Sequence, residues 1–579
     1  MVDTVKRKDT KTRGILIFCT LASLLRIWIS WLLGNVVPES DILDSVLMVE
    51  YANIFDHFWI PTEFSLVKSM SYPVFLLLPT LCGISYNVLL SLFWIIAAIA
   101  CICALRRVSS DIRILAISYL FIIWAPIAFE MWGGVRIYRN AIIAPSFFLL
   151  FALLFLMISN CMLKDAKKGK VVLTSALCGI TFFFAFYIKE DGFWMIPLLV
   201  LVMAICCVLI VIRIARKQLN RSFAIALLVA CFIPLAIFQV GTFEYKAINQ
   251  HYFGVSEVNT RTEGELGEFL ENVYRIDSED HSKYVWAPYD AIEKAFAASS
   301  TLSSHPELKE SILKTSWFGG DDGQRPILGD FLGWVLRTSL VETGLWESEA
   351  HVQEMFAQVN EELEEAFANG TLEEEDAVTL ASSAGSRTPA EVVDLLDDTL
   401  VTMTSPVTFV GYRMDIRPYR DSAVRDLDEA HQYMFNQYIG YLSDYGLLRI
   451  EHAKVAAGEI FSQIDLFIYR VLAPIMLIAS IIGIAWSLFA QIRRKHQFTF
   501  NQRLAAATAL GLFAMAFVYS FGISWFSEFI YNDDIENAKV ILTFYGIGVI
   551  PMMYLAIMFG NALLFNEIMW LRRGRSWVR

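Results

Sequence analysis

The first segment whose residue types could do chemistry is SDILDSVLMVE, which carries Asp41 and Asp44. If this segment is helical, residues three apart share one face, so both carboxylates point the same way. A carboxylate at the edge of an apolar region is partly desolvated, which raises its pKa and suits it to act as a general base. The alternative is an ordinary helix start, where acidic residues interact favourably with the helix dipole.

The second segment, WGGVRIYRNAIIAP, holds Arg136 and Arg139 with Tyr138 between them. Each guanidinium group is a planar fork that can form two hydrogen bonds to one phosphate or carboxylate, so the pair suits an anionic ligand. The alternative is that both side chains reach out to lipid headgroups while their stems stay in the apolar layer.

The third segment, AFYIKEDGFWMIP, places Lys189, Glu190 and Asp191 between two apolar stretches. Ionisable residues so close to the membrane interior are costly, and they therefore indicate a functional site. The competing interpretation is a simple polar turn between two antiparallel helices.

Composition shows what kind of fold must position these residues. Of the 579 residues, 56% are hydrophobic and only 18% are charged, whereas soluble domains carry about 25% charge. A spanning helix needs about 20 apolar residues, so we expect a mainly α, polytopic membrane protein. Its ten predicted spans are residues 14–37, 86–105, 114–131, 141–163, 171–188, 192–212, 222–241, 466–491, 504–523 and 540–565.

The clusters of Lys and Arg predict the orientation of these spans, because cytoplasmic loops accumulate basic residues. With ten spans drawn, the basic clusters between spans and at both termini fall on one side. We therefore expect a plasma (inner) membrane protein with both termini in the cytoplasm and the three charged segments facing outward. Two acidic groups and three cations would then form a pocket at the outer interface. Such a pocket suits an anionic lipid-linked substrate, because cations hold phosphate while a carboxylate accepts a proton.

Charge divides the chain into parts of opposite sign. Residues 243–465 hold 41 of the 59 acidic residues and 16 of the 47 Lys and Arg, a net charge of −25 against +13 for the remainder. We expect seven spans and an outward loop at 38–85 within 1–242, an acidic α-rich extracytoplasmic domain at 243–465, and three spans with a basic cytoplasmic tail in 466–579. This charge balance argues against a nucleic-acid partner. No histidine or cysteine pair has zinc-ligand spacing, so no metal ligands are predicted.

Together these features resemble the GT-C superfamily of membrane glycosyltransferases, which use polyprenyl-phosphate-linked sugars. The resemblance is carried by the acidic motif of the first outward loop, the Pro-containing apolar segment Tyr72–Gly83, the paired-Arg segment and the KEDGFW turn. The stretches VKSMSYPVFLLLP and GDFLGWVLRTSLVETGLWESEAHVQEMFAQVNEELEEAF also resemble poorly characterised bacterial members with a large outward insertion. The resemblance to the superfamily extends over most of the chain.

The resemblance implies an inverting hexosyl or pentosyl transferase that takes its sugar from a polyprenyl-phosphate donor among the membrane lipids. The acceptor would be an extracytoplasmic glycan, lipid or protein. No cofactor is certain, and a divalent cation is left open. The resemblance assigns the role of catalytic base to Asp44 first and to Asp41 second. It assigns binding of the donor phosphate to Arg136, Arg139 and Lys189, and a supporting role to Glu190 and Asp191.

Two further classes of function fit the same pattern. A glycan polymerase or ligase that uses a lipid-linked substrate also carries a large outward loop. A non-enzymatic transporter or scaffold would use the acidic domain or the spans for binding alone. Substitution of the charged residues separates these classes, because a scaffold should tolerate Asp44→Asn and Arg139→Ala, whereas an enzyme should not.

Overall fold

The protein is a polytopic α-helical membrane protein. The computed structural model describes residues 2–36, 42–53, 59–163, 168–314, 326–416, 449–493, 498–531 and 535–576. Within these ranges, nine helices are long and apolar enough to cross a membrane. Extended backbone is limited, in the same ranges, to isolated bridges such as the one between Val36 and Arg136.

Twenty α-helices make up the described fold, and short 3-10 or π-helical turns connect several of them. They are α1 (Val2–Leu33), α2 (Ile42–Ala52), α3 (Ser71–Cys82), α4 (Tyr86–Leu105), α5 (Ile112–Ile123), α6 (Asn140–Asn160), α7 (Lys168–Phe186), α8 (Met195–Ala215), α9 (Arg221–Phe253), α10 (Gly264–Tyr274), α11 (Tyr289–Ala298), α12 (Ser300–Ser303), α13 (Pro306–Leu313), α14 (Leu332–Glu342), α15 (Glu349–Ala368), α16 (Pro389–Thr408), α17 (Arg449–Ile492), α18 (Phe500–Tyr531), α19 (Ile535–Tyr545) and α20 (Val549–Ser576).

The third predicted span, 114–131, is wrong in its second half, because α5 ends at Ile123. Pro126 explains this end, since proline lacks a backbone N–H and disfavours helical geometry in the residue before it. The chain continues through a 3-10 turn at Pro126–Ala128 and a π-helical turn at Met131–Val135. Irregular backbone therefore replaces the last two turns of the expected helix.

Although α5 is short, it connects the two ends of the helix bundle. Before α5, the Val108 carbonyl accepts a hydrogen bond from Asn566 of α20. After it, the Ile137 amide donates to the Val36 carbonyl, just beyond α1, at 2.9 Å. We call the end that holds Val36 and Ile137 the site end. Arg107, from a cluster predicted to be cytoplasmic, lies at the opposite end, where it donates to Asn160.

The centre of the bundle is formed by α6 and α20. Both helices are buried along most of their length, whereas less than half of the apolar stretch of each other described spanning helix is buried. Phe155 of α6 stacks on Phe559 of α20 with ring centroids 4.7 Å apart. This central pair is apolar almost throughout, so it forms a rigid support for the loops at the site end.

A helical cap, formed by the described residues between α9 and α16, covers the site end. Its core comes mainly from α10, α11, α14 and α15, and Phe529 of α18 enters that core. Arg387 fixes the cap to α18, because it donates to Glu528 at 2.5 Å and to the Trp525 carbonyl at 2.7 Å. The predicted domain limits, residues 243 and 465, lie inside α9 and α17, which both continue beyond their apolar segments.

Candidate functional site

A cavity of about 1690 Å³ lies between the cap and the site end. Asp41 lies outside the described residues. Every other candidate residue predicted from the sequence lines this cavity, although these residues come from three separate segments. They are Asp44, Arg136, Arg139, Lys189, Glu190 and Asp191.

Asp44 lies in the first turn of α2, as the helix-start interpretation expected, and its carboxylate also faces the cavity. Lys68 approaches one carboxylate oxygen at 2.6 Å, and the Tyr138 hydroxyl donates to the other at 3.0 Å. Burial alone would raise the pKa of Asp44, but Lys68, Arg139 and Arg136 outweigh it and hold that pKa well below its usual value. The expected rise in pKa is therefore wrong, because a neighbouring cation dominates desolvation.

Arg136 does not extend to lipid headgroups, because its side chain is only 1% exposed. Its guanidinium group lies over the aromatic rings of Tyr138, Trp132 and Phe544, at 4.6, 5.3 and 5.5 Å from their centroids. These faces stabilise a cation without neutralising it. Arg136 therefore presents its guanidinium group at the cavity wall.

The backbone that carries Arg136 is fixed by Glu130, a completely buried carboxylate. Glu130 accepts hydrogen bonds from the amides of Trp132, Gly133 and Arg413, at 2.7, 2.8 and 3.0 Å. Burial raises the pKa of Glu130 to about 7, although these three amides act in the opposite direction. A Cβ atom at Gly134 would lie 2.0 Å from the Ala128 carbonyl oxygen, so the close turn requires glycine.

Arg139 is engaged by a protein carboxylate rather than held open for a ligand. Its Nη1 atom donates to both oxygens of Glu190, at 2.6 and 2.7 Å. Burial would raise the pKa of Glu190, but Arg139, Lys68 and Arg261 lower it to about 2. Glu190 also accepts from the Ser69 amide at 3.2 Å. The predicted turn is thus part of an ion-pair network that includes the segment bearing Lys68.

Lys189 is the most open of the predicted cations. Its ammonium lies 5.3 Å from the ring centroid of Tyr545 and 5.9 Å from that of Phe544. Within the part of the chain that the structure describes, Lys189 has no hydrogen-bond acceptor and no carboxylate within ion-pair distance. Burial, together with nearby Arg139, lowers the pKa of Lys189 to about 8. A phosphate group entering the cavity could pair with this ammonium directly.

Four residues of the network were not selected from the sequence, namely Lys68, Tyr138, Arg261 and Asp330. Arg261 joins the two halves, because it lies 3.8 Å from Glu190 and 2.9 Å from Asp330 of the cap. The resulting chain of contacts runs through Lys68, Asp44, Tyr138, Arg139, Glu190, Arg261 and Asp330. Lys68 could have been selected from the sequence, because it is a single cation in the apolar outward loop SLVKSMSYP, as Arg136 is in its own apolar segment. Arg261 had no such signal within the acidic segment.

The cap also holds the loop that carries Lys68. Arg337 is completely buried and donates to the Glu63 carbonyl at 2.7 Å, while the Thr260 amide donates to the Leu66 carbonyl at 2.9 Å. The Lys68 ammonium lies 4.9 Å from the ring centroid of Trp334. Cap residues therefore set the position of the cation that governs the charge of Asp44.

Beyond the charged residues, the cavity continues as an apolar groove between α8 and α18, with α6 as its floor. The groove face of α18 repeats every three or four residues, as one side of a helix must. It runs from Leu504 to Gly522, a distance of roughly 27 Å at 1.5 Å per residue. Leu201 of α8 and Val518 of α18 are 56% and 67% exposed, so the groove opens on the side of the bundle. Its lining includes Phe151, Leu154, Phe155, Ile158, Pro197, Leu198, Leu201, Ile205, Ala507, Thr508, Gly511, Met515 and Val518.

Across the described residues, no group of three or more His, Cys, Asp or Glu side chains has an arrangement that could hold a metal ion. Asp44 and Glu190 each bind a cationic side chain instead.

The chain's own helices define its class, a polytopic α-helical membrane protein. No protein-family model and no curated protein matches it. Among solved structures it is similar to "Crystal Structure of ArnT from Cupriavidus metallidurans in the apo state", with 11% identity over 94% of this chain and 78% of that chain, and a TM-score of 0.29.

Proposed function

We propose that the protein transfers a sugar from a polyprenyl-phosphate-linked donor to an acceptor on the extracytoplasmic side of the membrane. One observation carries the proposal: a charged cavity holds Lys189, which has no ion-pair partner among the described residues, and this cavity continues into a long apolar groove open to the side of the bundle. An amphiphile with an anionic head and a long apolar tail matches both parts.

The donor phosphate is assigned to Lys189, with Arg136 contributing its charge from the adjacent wall. The positive-inside pattern of the basic loops supports an outward-facing site. Arg139 takes a different role from the one expected. Glu190 pairs with Arg139 at 2.6 Å and compensates its charge, so we assign Arg139 to the orientation of the site. A polyprenyl tail would then follow the groove between α8 and α18.

Asp44 is assigned as the base in this mechanism. It accepts the proton of an acceptor hydroxyl as that oxygen attacks the anomeric carbon, and the bond from that carbon to the phosphate oxygen breaks. Polyprenyl phosphate leaves with both electrons of that bond. Since the leaving group is already an anion, stabilisation by cations matters more than protonation. Tyr138 and Lys68 keep Asp44 ionised and fix its orientation.

Binding of decaprenyl phosphate to the protein in nanodiscs tests the proposal. Wild type should bind saturably, and Lys189→Ala should weaken binding by about tenfold, the value of one charge-assisted contact. Lys294→Ala is the matched control, because Lys294 lies on the cap surface in a pair with Asp290. Equal binding by wild type and Lys189→Ala, or no binding by wild type, would contradict the assignment.

A transfer assay then separates the enzyme from a scaffold. Membranes that supply polyprenyl-phosphate sugars should release free polyprenyl phosphate in the presence of wild type, and Asp44→Asn should abolish that release. A protein that merely binds the lipid would show the same lipid binding and no release. A polymerase or ligase would instead lengthen or transfer a preformed glycan chain, which mass spectrometry of the product distinguishes.

A further inference from the structure

The part of the cavity nearest the cap has a character different from that of the phosphate region. We call this part the outer chamber. One wall is a single face of α10, formed by Gly267, Leu270, Glu271 and Tyr274, which are spaced three or four residues apart. Asp330 and Phe526 also line the chamber.

Polar groups in the outer chamber are mostly hydrogen-bond acceptors or hydroxyl groups. Among the described residues, the Glu271 carboxylate and the Tyr274 hydroxyl make no hydrogen bond or ion pair. The Tyr274 ring packs edge-on against Trp286, with ring centroids 5.7 Å apart. Ser382 and Ser383 add two further hydroxyls at the exposed mouth. The chamber therefore offers acceptors to a ligand rich in hydroxyl donors.

Charge in this chamber disfavours an anion. Arg261 neutralises Asp330 through a contact of 2.9 Å, and it also lies 3.8 Å from Glu190. Glu271 has no such cation beside it within the described residues. An anionic group entering the chamber would therefore meet an uncompensated carboxylate, in a segment of the chain with a net charge of −25.

We infer that the outer chamber binds the acceptor, and that this acceptor is a neutral carbohydrate whose hydroxyl groups donate to Glu271 and Asp330. The half-buried ring of Phe526 supplies a flat apolar surface against which the C–H face of a sugar ring packs. Asp44 lines the same cavity as the chamber residues, so a hydroxyl of the bound sugar is assigned to this base. This inference rests on the proposed function, since it names the second substrate of the same site.

The test compares binding of neutral oligosaccharides with binding of their uronate-containing and phosphorylated counterparts, using full-length protein in nanodiscs. Wild type should bind neutral oligosaccharides and discriminate against the acidic ones. Glu271→Lys should weaken neutral binding by about tenfold. Glu268→Lys is the matched control, because it makes the same charge change on the exposed face of the same helix and should bind as wild type does.

Glu271→Gln is a second variant that tests the same contact if Glu271→Lys fails to fold. It keeps the shape of the side chain and removes only its charge, so its neutral binding should fall between wild type and Glu271→Lys while its thermal unfolding stays unchanged. Preference for acidic oligosaccharides, absence of any saccharide binding, or equal binding by the Glu271 and Glu268 variants would overturn the inference. Wild-type binding of decaprenyl phosphate is measured in parallel, since its loss would overturn the proposed function instead.

Discussion

Asp44 shows how far a single contact can change the chemistry expected of a residue. Its place at the edge of an apolar region predicts a raised pKa, yet Lys68 at 2.6 Å lowers it. The two residues are separated by a loop, and no spacing rule links them in the sequence. The candidate residues themselves could be selected because charges in apolar surroundings are rare. The ion pairs that these residues form could not be predicted, because the pairs depend on contacts between distant segments of the chain.

Replacing Lys68 by Met should raise the pKa of Asp44 and shift the acidic limb of the pH profile of kcat/KM to higher pH. A depressed pKa keeps the base ionised as pH falls, so wild type should retain activity to lower pH than Lys68→Met. Lys68→Arg keeps the cation and should restore the wild-type limb. If Lys68→Met and wild type lose activity at the same pH, Asp44 is not the titrating base.

The pKa of Lys189 predicts that decaprenyl phosphate binding also falls on the alkaline side of its pH profile. Its pKa of about 8 means that its charge is present below that value and is lost as pH rises through it. Decaprenyl phosphate binding should therefore weaken above about pH 8, and Lys189→Arg should extend binding to higher pH because a guanidinium group stays charged. Binding measured between neutral and alkaline pH in both proteins checks this. A limb that remains in Lys189→Arg would belong to another group.

Among the elements, the π-helical turn at Met131–Val135 shows the clearest departure from the sequence pattern. Hydropathy predicts one continuous helix at 114–131, because it registers apolar residues but not the backbone of the turn. Pro126 was the available signal for the early helix end. Nothing in the sequence indicates that Glu130 would accept three amides from two separate segments. That arrangement appears only once residue 413 is folded against this turn.

Loss of the Glu130 carboxylate should disorder this turn. Glu130→Ala leaves the amides of Trp132, Gly133 and Arg413 without their acceptor, at a cost of about 3 kcal/mol for buried donors. Thermal unfolding should shift to lower temperature, and decaprenyl phosphate binding should fall with it. Glu130→Gln keeps one acceptor oxygen and should lose less. A wild-type unfolding temperature for Glu130→Ala would show that other contacts hold the turn.

The groove between α8 and α18 gives a prediction about shape. Gly511 lies on the groove face of α18, and no atom lies within 4 Å of a Cβ placed there, so a larger side chain fits without displacing backbone. Gly511→Trp should block the groove and weaken decaprenyl phosphate binding by about tenfold or more, with unfolding unchanged. Gly14→Trp, at an equally open position on α1, is the control. Unimpaired binding by Gly511→Trp would place the lipid tail elsewhere.

For the whole molecule, the sequence predicts the order of spans, the acidic insertion and the side on which the charged segments meet. It does not predict that the cap completes the site. The reason is physical: Arg261, Asp330 and Arg337 reach the membrane-side loops only through tertiary packing, and in the sequence they look like ordinary surface charges. The site is therefore shared between the cap and the helix bundle.

Attachment of the cap should depend on Arg387 more than on exposed ion pairs. Arg387→Ala removes one of the two cations that pair with Glu528, while Lys283 remains, and it also removes the hydrogen bond to the Trp525 carbonyl. We expect a cost of about 2 kcal/mol and increased hydrogen exchange in α10 and α14. Arg275→Ala is the control, because Arg275 pairs with Glu364 and Glu374 at the surface, where ion pairs contribute about 1 kcal/mol or less. Equal exchange in the two variants would mean that apolar contacts around Phe529 alone hold the cap.

The most direct test of the central claim is a cryo-electron microscopy map of the full-length protein in nanodiscs with decaprenyl phosphate. The proposal predicts phosphate density within hydrogen-bonding distance of Lys189 and tail density between α8 and α18, beside Gly511 and Val518. Phosphate density away from Lys189, or a tail on another face of the bundle, would contradict the assignment of this cavity as the donor site.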